Sequence, residues 1–317
     1  MNSLRSSSRM QRLTLRDRIA GWKQLLDRCG RKPTRKRVHA LRVVTLRIQA
    51  ELEHELAELP HASHQAQAML RFSKLAEKLR QALGPVRELD VWIGKLQSLR
   101  GALGEATEYV PRSTRNCIRQ IEQLEERLNK KRQLSGQKLM VEIEKRRKDL
   151  LAVGDDIHES TNEHAHEVDA HSVSAILEQF TGVAAEFPTF DEENLHDFRK
   201  RIKKVRYLAE IHSAADPACG RIAGKLKKLQ AAIGEWHDWQ ILARTAKHGR
   251  HAKNVELEDL LESLTIETFE AAIAMCHSIN SRMLGLYAAK GQGSREIERK
   301  PPMRSDDDPS AFRLKLA

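Results

Sequence analysis

The sequence predicts an all-α protein built from two similar halves, and three observations carry that reading. Leu, Ala, Glu, Lys, Arg and Gln dominate while aromatic residues make up only 4%. Such straight-chain residues lose little rotamer freedom in a helix. Glycine is sparse, with 16 in 317 residues, and the even strand-and-turn spacing of a β protein is missing. A segment near residue 40 recurs near residue 197. A chain of 317 residues suits two cores of ordinary size.

The opening MNSLRSSSRMQR carries charge without a hydrophobic stretch, so it reads as a flexible basic arm rather than a secretory leader. Residues 1–30 are taken as this arm with a lead-in helix. Apolar residues then recur at helical spacing over 33–59, with Pro33 at the start and Pro60 after the end. A second helical region runs from about His64 to Leu99, and Gly84-Pro85 is expected to kink or break it. A third, about Ser113 to Leu151, has one thin apolar stripe (Ile118, Ile121, Leu128, Leu139, Ile143). The polar stretch 154–170 reads as a loop, and a short helix follows to about Ala185. Thr189 and Glu192 have the spacing of a capping box and predict a helix from about Asp191 to Ser213. Pro217 opens the next helix, to about Lys247, and a last one covers about Val255 to Tyr287. The Gly-, Pro- and charge-rich tail 290–317 is expected to be disordered. The halves are placed at 31–186 and 187–289.

The net charge of +11 is unevenly distributed. Residues 1–50 carry fourteen Lys/Arg against Asp17 and Asp27, and 196–230 carry ten against Asp197, Glu210 and Asp216. Blocks of one sign point to a basic site rather than a uniformly basic surface. Cys29, Cys117, Cys219 and Cys276 show no pairing rhythm and read as reduced thiols of a cytoplasmic protein. No apolar run is long enough for a membrane span, so no membrane association is expected.

Aligning 38–53 with 195–210 matches His39 with His196, Arg42 with Arg199, Arg47 with Lys204 and Glu53 with Glu210. Aligning 78–92 with 228–242 matches Lys78 with Lys228, Gly84 with Gly234, Arg87 with His237 and Glu88 with Asp238. Order and offset agree, which indicates homologous halves. On a wheel of about 100° per residue, Leu195, Phe198, Ile202, Val205 and Ala209 form one arc. His196, Arg199, Lys203, Arg206, Tyr207 and Glu210 form a second. Aligned cations repel by about 2 kcal/mol per pair at roughly 8 Å and an effective dielectric near 20, a cost that an anion in the groove would relieve.

At these residues the chain resembles the CHAD family, the conserved-histidine α-helical domain. The hallmark segments are Val38-His39-Ala40-Leu41-Arg42 and Leu195-His196-Asp197-Phe198-Arg199, the latter followed by Lys203-Lys204-Val205-Arg206-Tyr207. Each is followed by a second element, Leu83-Gly84-Pro85-Val86-Arg87-Glu88-Leu89-Asp90 and Ile233-Gly234-Glu235-Trp236-His237-Asp238. The similarity covers about residues 30–290. It implies two bundles of long helices related by a pseudo-twofold axis, with a shared basic central groove or channel that binds inorganic polyphosphate without catalysis or cofactor. It also implies residence at polyphosphate granules in the cytoplasm. By position, His39, Arg42, Arg47, His196, Arg199, Lys203, Lys204, Arg206 and Tyr207 would line the groove, with Lys78, Arg87, Lys228 and His237 as a second tier. Glu88, Asp90 and Asp238 are expected to orient the cations. Leu46 and Gln49 stand where the family often has basic residues, so the first half is expected to bind more weakly.

Two other readings compete. A nucleic-acid-binding helical protein is one, since any basic protein attracts nucleic acid weakly by counterion release; only Tyr207 offers the stripe a stacking ring. An accessory subunit of a polyphosphate- or triphosphate-metabolising enzyme is the other. Self-association as a homodimer is left open. Glu142, Glu144 and Arg146 loosely resemble a triphosphate-tunnel signature, but on a helix and with Arg146 for the lysine, so no catalytic residue is assigned. His158, His164, His166 and His171, near Asp155, Asp156 and Glu163, lack a fixed helical His pair, and no metal site is assigned.

Overall fold

The computed structural model describes residues 14–60, 63–105, 111–160, 172–213, 216–247 and 255–298. The described residues form eight helices: α1 (Leu15–Arg31), α2 (Arg35–Glu58), α3 (His64–Glu105), α4 (Arg112–Ser160), α5 (Ser172–Glu186), α6 (Leu195–His212), α7 (Pro217–Lys247) and α8 (Val255–Glu298). No described helix is long and apolar enough to cross a membrane. The expected N-terminal arm up to residue 13, the tail beyond 298, and Glu163, His164, His166 and His171 lie outside the described residues.

Each half is a four-helix cluster. Helices α1–α4 pack as a ring, α1 on α2 and α4, α3 on α2 and α4; α5–α8 repeat the arrangement. The first core gathers Ile19, Trp22, Leu26, Leu41, Ile48, Phe72 and Ile143. The second gathers Ile176, Phe180, Phe198, Ile202, Leu226, Trp236 and Cys276. A third core joins the halves through Leu89 and Leu96 of α3, Ile121 and Leu124 of α4, Leu242 of α7 and Leu257 and Leu261 of α8. The four long helices thus serve two cores each. The principal contacts between halves join α2 with α6, α3 with α7 and α4 with α8.

The boundary between halves differs from the one expected at 187. Val173, Ile176, Leu177 and Phe180 bury the apolar face of α5 in the second core, so the second half begins with α5. Helix α1 is part of the first core rather than a lead-in. Thr14 caps it with a full capping box: its hydroxyl accepts from the Asp17 amide at 3.1 Å, and the Asp17 carboxylate accepts from the Thr14 amide at 2.9 Å.

Three local expectations fail. Helix α3 runs unbroken through Pro85. Pro85 and Gln81, whose carbonyl loses its usual donor, both lie on the exposed face where water can serve it. Buried Leu83, Val86 and Leu89 hold the helix on either side. Helix α4 continues to Ser160, through the first part of the expected loop, because Val153 and Ile157 extend its buried stripe into the first core. Thr189 and Glu192 do not form a capping box. The Asp191 carboxylate instead accepts from the amides of Glu193 (2.9 Å) and Asn194 (2.8 Å), which delays α6 to Leu195.

Candidate functional site

The repeat alignment equates Arg42 with Arg199 and Arg80 with Gln230, and the structure gives both arginines the same bond. Arg42 Nη1 donates to the carbonyl of Arg80 at 2.9 Å, and Arg199 Nε donates to the carbonyl of Gln230 at 3.2 Å. A glycine stands four residues on from each accepting carbonyl, beside the guanidinium. A Cβ on Gly234 would stand 2.8 Å from Arg199 Nη2, and one on Gly84 4.0 Å from Arg42 Nη1. The Ile233-Gly234 pair therefore has a local reason, because a side chain there would press on the arginine that crosses it, while at Gly84 the arginine stands at ordinary contact distance.

Lys203 is the centre of the arrangement. It is half-buried, and burial lowers its pKa from the ordinary 10.5 to about 7, helped by Arg42, Arg199, Arg80 and Arg206. Those neighbours come from α2, α3 and α6, so cations of both halves meet around one amine. Burial is likewise the first cause that lowers Arg42 and Arg199. Arg206, with 16% of its side chain exposed, lies 3.6 Å from Glu210 and 4.5 Å from the Tyr207 ring centroid. Tyr207 is itself 7% exposed, its pKa raised by burial, so it is a wall of the cluster and not an open stacking platform.

The histidines stand beside this cluster. The rings of His196 and His237 are 4.6 Å apart, and both Nδ1 atoms are buried without a hydrogen-bond partner. Burial lowers both pKa values, that of His237 to about 4 with the charge of His196 as the next cause. At their equivalent positions, His39 and Arg87 are also near one another; burial first, then Arg87 and Arg35, lower the pKa of His39. Burial therefore favours the neutral form of all three histidines in the free protein.

Carboxylates are fewer and are held by cations. Asp238 is pushed up to about 6 by burial, although Lys95, Arg199 and Arg87 pull it down. Glu88 lies near Arg42. Asp90 takes a partner that its position in the motif did not suggest: Arg132 of α4 donates to it at 2.9 Å and also bonds the carbonyl of Pro33. Among the described residues no group of three His, Cys, Asp or Glu is arranged to hold a metal ion.

The exposed residues include two of the expected lining set and two of the second tier. Arg47 and Lys204 are exposed at the α2–α6 seam in reciprocal ion pairs, Arg47 with Glu210 and Lys204 with Glu53, each at 4.0 Å. Lys78 and Lys228 are exposed, nine residues from Arg87 and His237, about two and a half turns, and so on the opposite face of their helices. Two cations of the cluster escaped the sequence reading. Arg80 precedes Arg87 by seven residues, and Arg35, His39 and Arg42 follow an i, i+4, i+7 spacing. Either phase was a usable signal.

The arrangement is a half-buried set of cations that exceeds its carboxylates, suited to holding anionic oxygens. No curated protein matches the chain. The family model of the CHAD domain matches residues 15–247, well over half of its length.

Proposed function

The chain belongs to the CHAD domain family, and from that premise we propose that it binds inorganic polyphosphate, without turning it over, in a basic groove lined by both halves. One observation carries this reading: half-buried Lys203 feels the charges of Arg42, Arg80, Arg199 and Arg206, and burial first, then those charges, disfavours its own. Such a cluster costs folding free energy through self-repulsion and desolvation. An anion threading between the arginines relieves both.

The two halves are proposed to be related by a pseudo-twofold axis. The like-with-like helix contacts, the matched arginine–carbonyl bonds and the reciprocal pairs of Arg47 and Lys204 support it. Because one chain supplies both motif arginines, the site does not require a dimer. The neutral histidines serve as hydrogen-bond donors to phosphate oxygens, and an anion there would favour their protonation. Polyphosphate suits the cluster better than nucleic acid, since Tyr207 is enclosed and leaves no open ring there for a base to stack on. The reading places the protein on polyphosphate granules in the cytoplasm.

Titration with size-defined polyphosphate, competed with duplex DNA and RNA at physiological salt, tests it. Affinity is expected to fall linearly on logarithmic axes with salt, as released counterions require. Equal affinity for polyphosphate and duplex DNA would reduce the protein to a generic basic surface. Hydrolysis of polyphosphate that tracks the pure protein would overturn the non-catalytic part.

A further inference from the structure

Lys203 stands on α6 one turn from Arg199 on one side and from Arg206 on the other, so the three share a face of the helix. Burial apart, the charges that bear on it most are those of Arg42, Arg199, Arg80 and Arg206, all cationic. The nearby carboxylates go to the arginines: Glu88 acts on Arg42, Asp238 acts on Arg199, and Glu210 lies 3.6 Å from Arg206. Lys203 itself has no hydrogen bond or ion pair among the described residues, and its amine, unlike Arg206 Nε, is not closed off from solvent.

A lysine that serves the fold finds an acceptor for its protons, as Lys95 does in Glu235. The other two lysines of α6 are exposed and do the same, Lys200 with Asp197 at 2.9 Å and Lys204 with Glu53 at 4.0 Å. Lys203 departs from both. Its neighbours disfavour the ammonium, so at pH 7 about half of it carries a free lone pair, against about one in three thousand for a lysine of ordinary pKa. An amine desolvated beside other cations is activated as a nucleophile in this way.

We infer that Lys203 is a site of acylation by small acyl phosphates, with the surrounding arginines holding the phosphoryl oxygens while the amine takes the acyl group. A plain phosphate gives the arginines a partner but the amine no electrophile, and a neutral ester does the reverse. An acyl phosphate supplies both. In the step, the Nζ lone pair forms a bond to the carbonyl carbon and the bond from that carbon to the phosphate oxygen breaks. Inorganic phosphate leaves with the electron pair, and the displaced Nζ proton ends on it. Charge grows on the leaving oxygen in the transition state, where the arginines stabilise it. The product is a neutral amide in place of the central cation. The inference shares with the proposed function the attraction of the cluster for phosphate oxygens, and it does not depend on polyphosphate as the ligand.

Incubation of the full chain with acetyl phosphate near pH 7, followed by peptide mapping in a mass spectrometer, tests the site with Lys200 and Lys204 as internal controls. Lys203 is expected to be acetylated at least about tenfold faster than either. Inorganic pyrophosphate, which engages the arginines without an electrophilic carbon, is expected to slow Lys203 and leave the two controls unchanged. Succinimidyl acetate carries no phosphate, so the preference for Lys203 over Lys204 should shrink with that reagent. A Lys203 rate equal to or below that of Lys204 with acetyl phosphate overturns the inference. So does a rate that pyrophosphate does not slow, or an equal preference with both reagents, because either removes the arginines from the step. Polyphosphate titration of the unmodified chain reads the proposed function separately, so the failure of one is not mistaken for the failure of the other.

Discussion

In the first half, the cations that join Arg42 stand on α3, as Arg80 and Arg87; the equivalent positions of α7 hold Gln230 and His237. In the second half they stand on α6, as Lys203 and Arg206, where α2 holds Leu46 and Gln49. Gln49 does structural work instead, donating to the Ser73 carbonyl at 3.1 Å. Leu46 and Gln49 alone suggest a weak first half, yet Lys203 feels Arg42 and Arg80 of the first half as well as Arg199 and Arg206 of the second. The repeats have diverged in a complementary way: each keeps its arginine–carbonyl bond and gives up half of the remaining charge. Basic residues at Leu46, Gln49, Gln230 and His237 as well would raise the six cations Arg42, Arg80, Arg87, Arg199, Lys203 and Arg206 to ten in one half-buried space, where repulsion between neighbours reaches a few kcal/mol per pair at short range.

The largest expected effects test that division. Lys203→Gln with Arg206→Gln, and separately Arg80→Gln with Arg87→Gln, should each weaken polyphosphate binding by roughly a hundredfold, at about 1.5 kcal/mol or more for each charged hydrogen bond lost. Binding isotherms at fixed ionic strength decide it. If only the α6 pair matters, the diagonal arrangement is wrong and the second half binds alone.

A smaller contrast comes from the two glycines. Gly84→Ala has ordinary contact distance to Arg42 and should gain the helix propensity of alanine, about 0.8 kcal/mol, read as a higher denaturation midpoint. Gly234→Ala puts its Cβ 2.8 Å from Arg199, so it should gain little stability. By pushing the guanidinium off the Gln230 carbonyl it should also weaken polyanion binding, which Gly84→Ala does far less. Identical responses would mean that the glycines do not seat the arginines.

Protonation sharpens the comparison further, because the first half has leucine at the position of Lys203. With a folded pKa of about 7 against an ordinary 10.5, Lys203 binds fewer protons folded than unfolded between those values. Its contribution to stability therefore rises with pH through that window. Binding has the opposite sign. An anion favours the charged amine, so at pH 8 the complex should take up a proton, and affinity should decline as pH rises above about 7. Calorimetry in buffers of different ionisation enthalpy measures the uptake, which Lys203→Met should remove and Leu46→Met should not.

The smallest effect is expected at the seam. The pairs Arg47–Glu210 and Lys204–Glu53 are long and mostly exposed, so double-mutant cycles should return about 0.5 kcal/mol or less for each. A larger coupling would make the seam a real clasp between α2 and α6.

Much of this molecule was legible in its sequence. The buried arc of α6 contains Leu195, Phe198, Ile202, Val205 and Ala209, and the same phase in α2 buries Val38, Leu41, Thr45, Ile48 and Leu52. Helical periodicity reports such positions because burial follows the angle of a residue on its own helix. The arginines of the two hallmarks and their glycines were legible as well, through the repeat. The same information passed over Arg80 and Arg35, expected a kink or break in α3 at Pro85 and put α5 in the first half. Those depend in good part on the surroundings of the residue: the amine of Lys203, the solvent beside Pro85, the core that receives α5. The sequence by itself determined the helices, their inner faces and the presence of two helical clusters. Only the tertiary structure decided which cations share a space, because that is set by the crossing of α2, α3 and α6, and an angle on one helix carries no information about the next.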